Sequence, residues 1–471
     1  MASFDVTCRC GAVIHTGDEH VGRTIRCRCG EPVTIARPAT YVPPTEPSRR
    51  RERRDDHRST GGSGADRAAG APPRSRQTSR TWLRWLAPAL APFRELRAAR
   101  PRRRYTAWAQ AAYLLGALVA WWLLVTFSER WLPATLLAYG PRGVLLAPLA
   151  LLVPAAVLFS WRSLVFSALG AAVVAWPIMG WHPFGVRGDP PSRTFDAATA
   201  MALRVVSLNA QGGAVVQSGV PYLLDTYDPD LLLVQECGAP LVTMLRLLPD
   251  RHVVAERGLC LVSRWPVTQV DSMPRSTFRE LRQLGYGGTA LVTHYRIAHP
   301  DGALHAVNLH LETARKGLEG LVGEDGLLPD GGAQAIDRLD ADVSTVTGTA
   351  AANAAVRDSE SRAAARWAFE RRTCGPLVIA GDFNQPQEST IYRQHWRRFV
   401  NAFDAAGHGF GHTKIEGRLL RVRIDHVLTL PEDADVLGTW VGSDVGSDHR
   451  PLVVDLTVRR GERDWPECGD N

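Results

Sequence analysis

The chain lacks any long apolar run before residue 100, so a cleaved amino-terminal signal peptide is not expected. Its first 104 residues also lack lysine, and 22 arginines against 10 acidic residues give that stretch a net charge of +12. The whole chain carries +7, which leaves −5 for everything after it. The basic balance therefore belongs to the tail and gives no reason for the remainder to seek nucleic acid. Cysteine is scarce as well, eight in 471 residues, with four in the first 36. The later four, Cys237, Cys260, Cys374 and Cys468, allow three full pairings, and their spacing indicates none.

Charge disappears altogether between Thr106 and Phe127, 22 residues rich in Leu, Ala, Val and Trp and long enough to cross a bilayer core. Two further candidates run from Gly143 to Trp161 and from Ser163 to Trp181, the first with Pro148 and Pro154 and the second with Pro177. For these two, a buried helical hairpin or re-entrant pair is the competing reading. Trp121, Trp122, Trp131, Trp161, Trp176 and Trp181 gather near the proposed ends, as interfacial aromatics do. Arginines 94, 97, 100, 102, 103 and 104 abut the first span, and the positive-inside rule keeps them cytoplasmic. Three spans then put the amino terminus in the cytoplasm and everything after Trp181 on the other side.

Near the start, Cys8-Arg9-Cys10-Gly11 and Cys27-Arg28-Cys29-Gly30 form two knuckles with short strand-like runs, Val13-Ile14 and Thr24-Ile25, between them. Four thiolates in two close pairs suit a structural, tetrahedral Zn²⁺, which would hold together a unit too small for a core. The unit resembles a zinc ribbon, although the usual knuckle is C-x-x-C; a redox pair or disulfides are the alternatives. The residues do not say what partner it binds. Residues 37 to 80, rich in Pro, Arg, Ser and Gly, read as a flexible linker whose charge favours anionic headgroups. Thr81 to Arg100 reads as an interfacial helix interrupted by Pro88 and Pro92.

After Trp181 polar groups recur at strand ends. Leu203 to Leu208 ends in Asn209, Leu231 to Val234 ends in Gln235-Glu236, and Ala303 to Leu309 ends in His310. Gly381-Asp382-Phe383-Asn384, Ile424-Asp425-His426 and Ser447-Asp448-His449 follow. Cleaving a phosphoester at neutral pH takes a hard cation on oxygen ligands, a carboxylate that activates water and donors that hold the transition state, and these residue types supply all three. Taken singly the signals are weak. An Asn after a strand is ordinarily a turn former, and His310 between Leu309 and Leu311 could be a core histidine. Between His310 and Gly381, a helix is expected from about Ala350 to Arg371, with Arg357, Arg362 and Arg366 either solvated or touching substrate phosphate.

In order and spacing these six strings closely resemble the endonuclease/exonuclease/phosphatase superfamily, over roughly residues 201 to 458. The resemblance implies an α/β fold, a two-sheet β-sandwich flanked by helices. It implies Mg²⁺ (or Mn²⁺) bound chiefly by Glu236, with Asn209 and Asp448 close to metal and phosphate. Asp382 would activate a water that Asn384 helps position, His449 held by Asp425 would donate to the phosphoryl oxygen, and His310 would be a second phosphate contact. His426 is given no role.

The expected organisation is a zinc-ribbon-like unit (1–36), a basic linker (37–104), three membrane helices (105–181), a linker (182–200), the catalytic domain (201–460) and a tail (461–471). The expected activity is Mg²⁺-dependent hydrolysis of a phosphoester by a domain tethered at a lipid bilayer and displayed away from the cytoplasm. The alternatives are a metal-dependent nuclease acting on DNA or RNA and an inactive membrane-tethered binding module.

Overall fold

The computed structural model describes residues 3–7, 13–17, 21, 24–26, 32–34, 91–185, 200–215, 219–274, 291–315, 318, 343–372, 375–416 and 420–459. The chain divides into two compact units, Met1–Gln77 and Thr78–Asn471. In the first, β1 (Ser3–Thr7) pairs with β2 (Val13–Gly17), and β3 (Thr24–Arg26) with β4 (Pro32–Thr34), both antiparallel. Cys8, Cys10, Cys27 and Cys29, and with them the zinc expectation, lie outside the described residues, as do Cys374 and Cys468.

In the second unit, β5 (Ala200–Asn209), β6 (Leu231–Gln235), β7 (His252–Glu256), β8 (Leu259–Ser263), β17 (Ala434–Val441) and β18 (Leu452–Arg459) form one six-stranded sheet, in the order β17-β18-β5-β6-β8-β7. The second sheet, also of six strands, runs β13 (Val400–Asn401), β16 (Asp425–Thr429), β12 (Leu377–Asp382), β11 (Gly302–His310), β10 (Val292–His299) and β9 (Val267–Met273). Alternation along the strands decides which side chains face which layer. Leu203, Val205, Leu231 and Leu233 meet Leu304, Ala306, Val378 and Val427 between the sheets. Their neighbours Val206, Leu208, Leu232 and Val234 pack outward on Leu223 and Leu241, from helices Gly219–Tyr227 and Ala239–Leu245. On the other side Val307, Leu309 and Ile379 pack with Ala364 and Ala368 of helix Val343–Glu370. Strands covered on both faces are apolar throughout, which is why the central ones read as unbroken hydrophobic runs. Each such side chain contributes about 1.5–3 kcal/mol when fully buried.

Three helices before the sandwich are long and apolar enough to cross a membrane: Pro101–Phe127, Arg142–Phe159 and Trp161–Ile178. The first begins earlier than expected because Pro101 fits the first helical turn, which brings Arg102, Arg103 and Arg104 into the helix. Within this structure the second and third are not buried as a core hairpin: Leu151 and Leu158 of the second are 80% and 74% exposed, and Leu169 of the third is 51% exposed. The prolines are accommodated locally: a 3₁₀ turn precedes Pro148, and a π-turn, Val174–Ile178, takes up Pro177. A short helix, Leu132–Tyr139, occupies the connection between the first two spans and was not apparent in the sequence. Of the expected interfacial segment, residues 91–95 are helical and residues 81–90 lie outside the described residues.

One end of the helix group is tied by Glu95, which accepts from Ser160 Oγ at 3.1 Å and Arg103 Nη2 at 2.9 Å. The other end carries the sandwich. The backbone N–H of Thr390 donates to Ser128 Oγ at 2.8 Å and to Glu129 Oε2 at 3.0 Å, and Arg142 Nη1 donates to Glu388 Oε2 at 3.0 Å. Arg357, offered above as solvated or as a substrate contact, is neither. It is buried, donates to Tyr139 Oη at 2.5 Å and to Asn353 Oδ1 at 2.9 Å, and lies 3.7 Å from Glu129. Arg362 and Arg366 are exposed, and Arg362 pairs with Asp358. Removing one partner of the buried Arg357–Glu129 pair costs on the order of 3–5 kcal/mol, because the other charge stays behind.

Cysteine spacing left the pairing open; Cys237 and Cys260 are bonded. Antiparallel β6 and β8 put Val234 opposite Cys260, and Cys237 N–H donates to Gly258 O at 2.9 Å, which turns the chain back alongside β8.

Candidate active site

Register gathers the strand-end residues. Parallel β5 and β6 set Asn209 beside Gln235, with Glu236 next along the chain. Parallel β11 and β12 set His310 beside Asp382, and antiparallel β16 sets Asp425 against Asp382. The close approach of β12 to β11 explains Gly381, where φ is +151° and a Cβ would stand 2.0 Å from Leu309 O. The two sheets meet through Asn209 Nδ2, which donates to Asp382 Oδ2 at 3.0 Å and to Glu236 Oε1 at 3.1 Å. Below this contact, Gln235 Nε2 donates to Asn308 Oδ1 at 2.7 Å.

Around that junction His310 Nε2 lies 3.7 Å from Asp382 Oδ2 and 3.8 Å from Glu236 Oε1, so it faces the rim and is not a core histidine. Glu236 and Asn384 hold φ values of +50° and +51°, uncommon for residues other than glycine and frequent at functional positions. In Asn384 the backbone N–H donates to Asp382 Oδ1 at 2.8 Å and the side-chain amide to Leu311 O at 2.9 Å. The loop before β18 is fastened by Ser447 Oγ, which donates to Asn209 O at 2.7 Å and accepts from His449 N–H at 3.1 Å. His449 then spans two carboxylates, with Nδ1 2.8 Å from Asp425 Oδ2 and Nε2 3.8 Å from Asp382 Oδ2.

Electrostatics separates these groups. Burial, and then the neighbouring Asp425, push Asp382 up to about 7 against the opposing pull of His449. Burial alone would also raise Asp425, but the charge and hydrogen bond of His449 hold it below the usual carboxylate range. Burial alone would lower His449, but Asp425 and then Asp382 push it up to about 9. At neutral pH the cluster thus holds a proton on the imidazole and a carboxylate poised near neutrality, the pairing that acid–base chemistry needs.

A divalent cation fits this chemistry. Asp382, Asp425 and His449 bring one ligand atom each within 4.8 Å of one another, and Asp425 Oδ1 is buried without a hydrogen-bond partner. Hard cations favour the oxygens of this set over a protonated imidazole. Glu236 and Asn209 lie together on the same rim, whereas Asp448 pairs with Lys414 Nζ and stands 3.9 Å from His449 Nε2. Lys414 was not picked out in the sequence, although its signal was there: it is one of two lysines in a chain of 53 arginines. Gln211, also not picked out, donates its N–H to Asn209 Oδ1 at 3.0 Å. His426 is buried on Gln385 O and Asn401 and takes no part in the cluster.

Among curated proteins none matches the chain. Solved structures similar to it include an endonuclease/exonuclease/phosphatase family protein from Bacteroides thetaiotaomicron, at 16% identity, with 55% of this chain and 98% of that one covered and a TM-score of 0.40. A mannosyl-6-phosphatase from the same species is 15% identical, with 54% and 99% covered and a TM-score of 0.39. TDP2 from D. rerio, complexed with a single-strand DNA product, is 13% identical, with 54% and 98% covered and a TM-score of 0.38. The family match proper spans residues 206–449, more than half of the chain. Because it begins inside β5 and ends on His449, it takes in every residue of the cluster, and on that match the chain belongs to the Endonuclease/Exonuclease/phosphatase family.

Proposed function

We propose that this protein is a membrane-anchored, Mg²⁺-dependent phosphoesterase whose substrate is a phosphoester presented at the bilayer surface. The observation that carries the chemistry is the buried chain Asn209, Asp382, His449 and Asp425, with Asp382 held near neutrality opposite a protonated imidazole. Asp382 takes the proton of a water as the water oxygen bonds to phosphorus and the ester bond opposite breaks, the leaving oxygen departing with the bonding pair and taking up a proton from solvent. Asn384 helps to position that water. His449 donates to the phosphoryl oxygen while Asp425 keeps the imidazole charged and oriented, and His310 supplies a further phosphate contact. Mg²⁺ (or Mn²⁺), held by Glu236, Asn209 and Asp448, would neutralise charge on the phosphoryl oxygens.

If Glu236 is the main charged ligand, Glu236→Gln should raise the Mg²⁺ concentration for half-maximal activity at least about tenfold, with a smaller effect on turnover at saturation. An unchanged titration would move the metal elsewhere.

Two features support the bilayer as the source of substrate. The sandwich is fastened to the helix ends through Glu129, Arg142 and Arg357, so its reach is set by that contact and not by the linker. A disulfide at Cys237–Cys260 suits the oxidising side of a membrane, opposite the arginine cluster at Arg102, Arg103 and Arg104. Because an excised domain would cut Arg357 off from Tyr139 and Glu129 and Glu388 off from Arg142, the test uses the full chain in detergent. Side by side, it should hydrolyse a lipid phosphate ester faster than it nicks supercoiled plasmid, and in intact cells a carboxyl-terminal reporter should read the extracytoplasmic side. Rapid nicking abolished by Asp382→Asn would make it a nuclease instead.

A further inference from the structure

Where the helix group meets the sandwich there is a cavity of about 100 Å³, large enough for a tetrahedral anion or a few waters. Arg142 and Gly180 line it from the helix side, and Glu388, His412, Arg421 and Arg423 from the sandwich. Arg142 opens the second membrane helix and Gly180 follows the third, so the cavity lies at the level of the helix ends. Trp176 and Trp181 are 60% and 39% exposed near the same end, where interfacial tryptophans meet headgroups.

The charges do not cancel. Arg142 is used up on its own surroundings: it donates to Ala138 O and Ile178 O at helix ends and to Glu388, the one lining carboxylate. Arg423 gives Nη2 to Asp404 at 2.8 Å and stacks on Phe403, while its Nη1 is buried with no hydrogen-bond partner. The Arg423 side chain is 5% exposed, and a charged donor in that position is costly unless something accepts from it. Arg421 is exposed at the cavity wall and adds a second guanidinium. His412 reports the resulting field: burial, then Arg142, Arg421 and Arg423, pull it down to about 4, so it is neutral at pH 7 and can donate a hydrogen bond.

We propose that this cavity is a phosphate-binding site at the membrane surface, in which the guanidinium groups of Arg421 and Arg423 hold the phosphate of an anionic headgroup or of a soluble phosphate compound. Guanidinium forks suit phosphate oxygens, and the cavity's excess positive charge is offset when the site is filled. The site is separate from the catalytic cluster but adjoins it in the chain: Arg423 precedes Asp425 by two residues, and Thr413, next to His412, accepts from Asp425 N–H at 3.1 Å. Binding here needs no hydrolysis, so the proposal stands or falls independently of the activity.

The test uses the full chain in detergent with metal chelated, and its readout is thermal unfolding. One arm titrates inorganic phosphate; the other compares mixed micelles of phosphatidylcholine with and without phosphatidic acid. Protection by inorganic phosphate supports a soluble ligand, and protection by phosphatidic acid alone supports a headgroup. In either case Arg421→Gln should weaken the apparent affinity at least about tenfold and Arg423→Lys should weaken it as well, whereas Asp382→Asn leaves it unchanged. Absence of protection in both arms, or equal protection of wild type and both arginine variants, overturns the proposal.

Discussion

In the Asp382→Asn protein, turnover is expected to fall at least about a hundredfold, while the metal-free fold gains stability relative to wild type as pH rises through neutrality. The two effects share a cause. Asp382 is buried between Asp425 and Asn209, and burial together with the Asp425 charge raises its carboxyl to about 7 from an ordinary value of 3.8. A carboxyl raised on folding binds its proton more tightly in the native state, so stability is lost as pH climbs from the ordinary value through the raised one. Asparagine keeps the size and can still accept from Asn384 N–H, but it does not ionise, and its amide nitrogen then meets the Asn209 Nδ2 donor. Relative to wild type, the variant's melting temperature should therefore climb by several degrees between about pH 4 and pH 8. A variant that loses activity and melts lower by the same amount at every pH would make Asp382 a structural residue. Near-normal kinetics would remove it from the reaction.

Fold and site differ in how far the sequence discloses them. The central strands are visible because they are apolar on both faces, and Asn209, Glu236, His310 and Asp382 because each ends or directly follows such a run. Where a strand stops, a polar group stands out against the residues before it, and local pattern is enough. Asp425 is a harder case, since it opens an antiparallel strand and meets Asp382 only through register.

Beyond Gln211 and the short helix Leu132–Tyr139, the features that escaped are made by segments apart in the chain. Arg357 and Tyr139 are 218 residues apart, and nothing in a helix rich in Ala and Arg says that one of its arginines will be buried against the connection between two apolar helices. The Cys237–Cys260 bridge depends on β6 pairing antiparallel with β8, a register that cysteine spacing does not encode. Lys414 meets Asp448 because the backbone N–H of Ile415 donates to Asp448 O at 3.0 Å, an irregular contact with no periodic signature. The three long apolar helices show the converse, since long uncharged stretches need no tertiary information to be recognised, though their ends moved with Pro101 and Pro177.

His449 gives the second large effect, and Asp425 shows whether its charge is the reason. His449→Ala should lower turnover at least about a hundredfold, since it removes the donor aimed at the phosphoryl oxygen. Alanine alone cannot tell a missing proton from a missing ring. Asp425→Asn can, because it leaves the imidazole in place and takes away the first of the two charges that push His449 up to about 9. An imidazole raised on folding stays protonated to higher pH. Its contribution to stability is complete below the ordinary value of 6.5 and disappears as pH rises through about 9. In wild type the protonated form therefore persists well past neutrality, and the alkaline limb of kcat/KM against pH should lie near that upper value. Without Asp425 the limb should move down by at least about one pH unit and turnover at its maximum should fall about tenfold. In the metal-free protein the loss of stability between neutral and alkaline pH should shrink in the same variant, a change that an orienting role without charge would not cause. An alkaline limb that stays in place in Asp425→Asn would mean that the imidazole works as a neutral hydrogen-bond donor, leaving Lys414 as the remaining cationic side chain paired within the cluster.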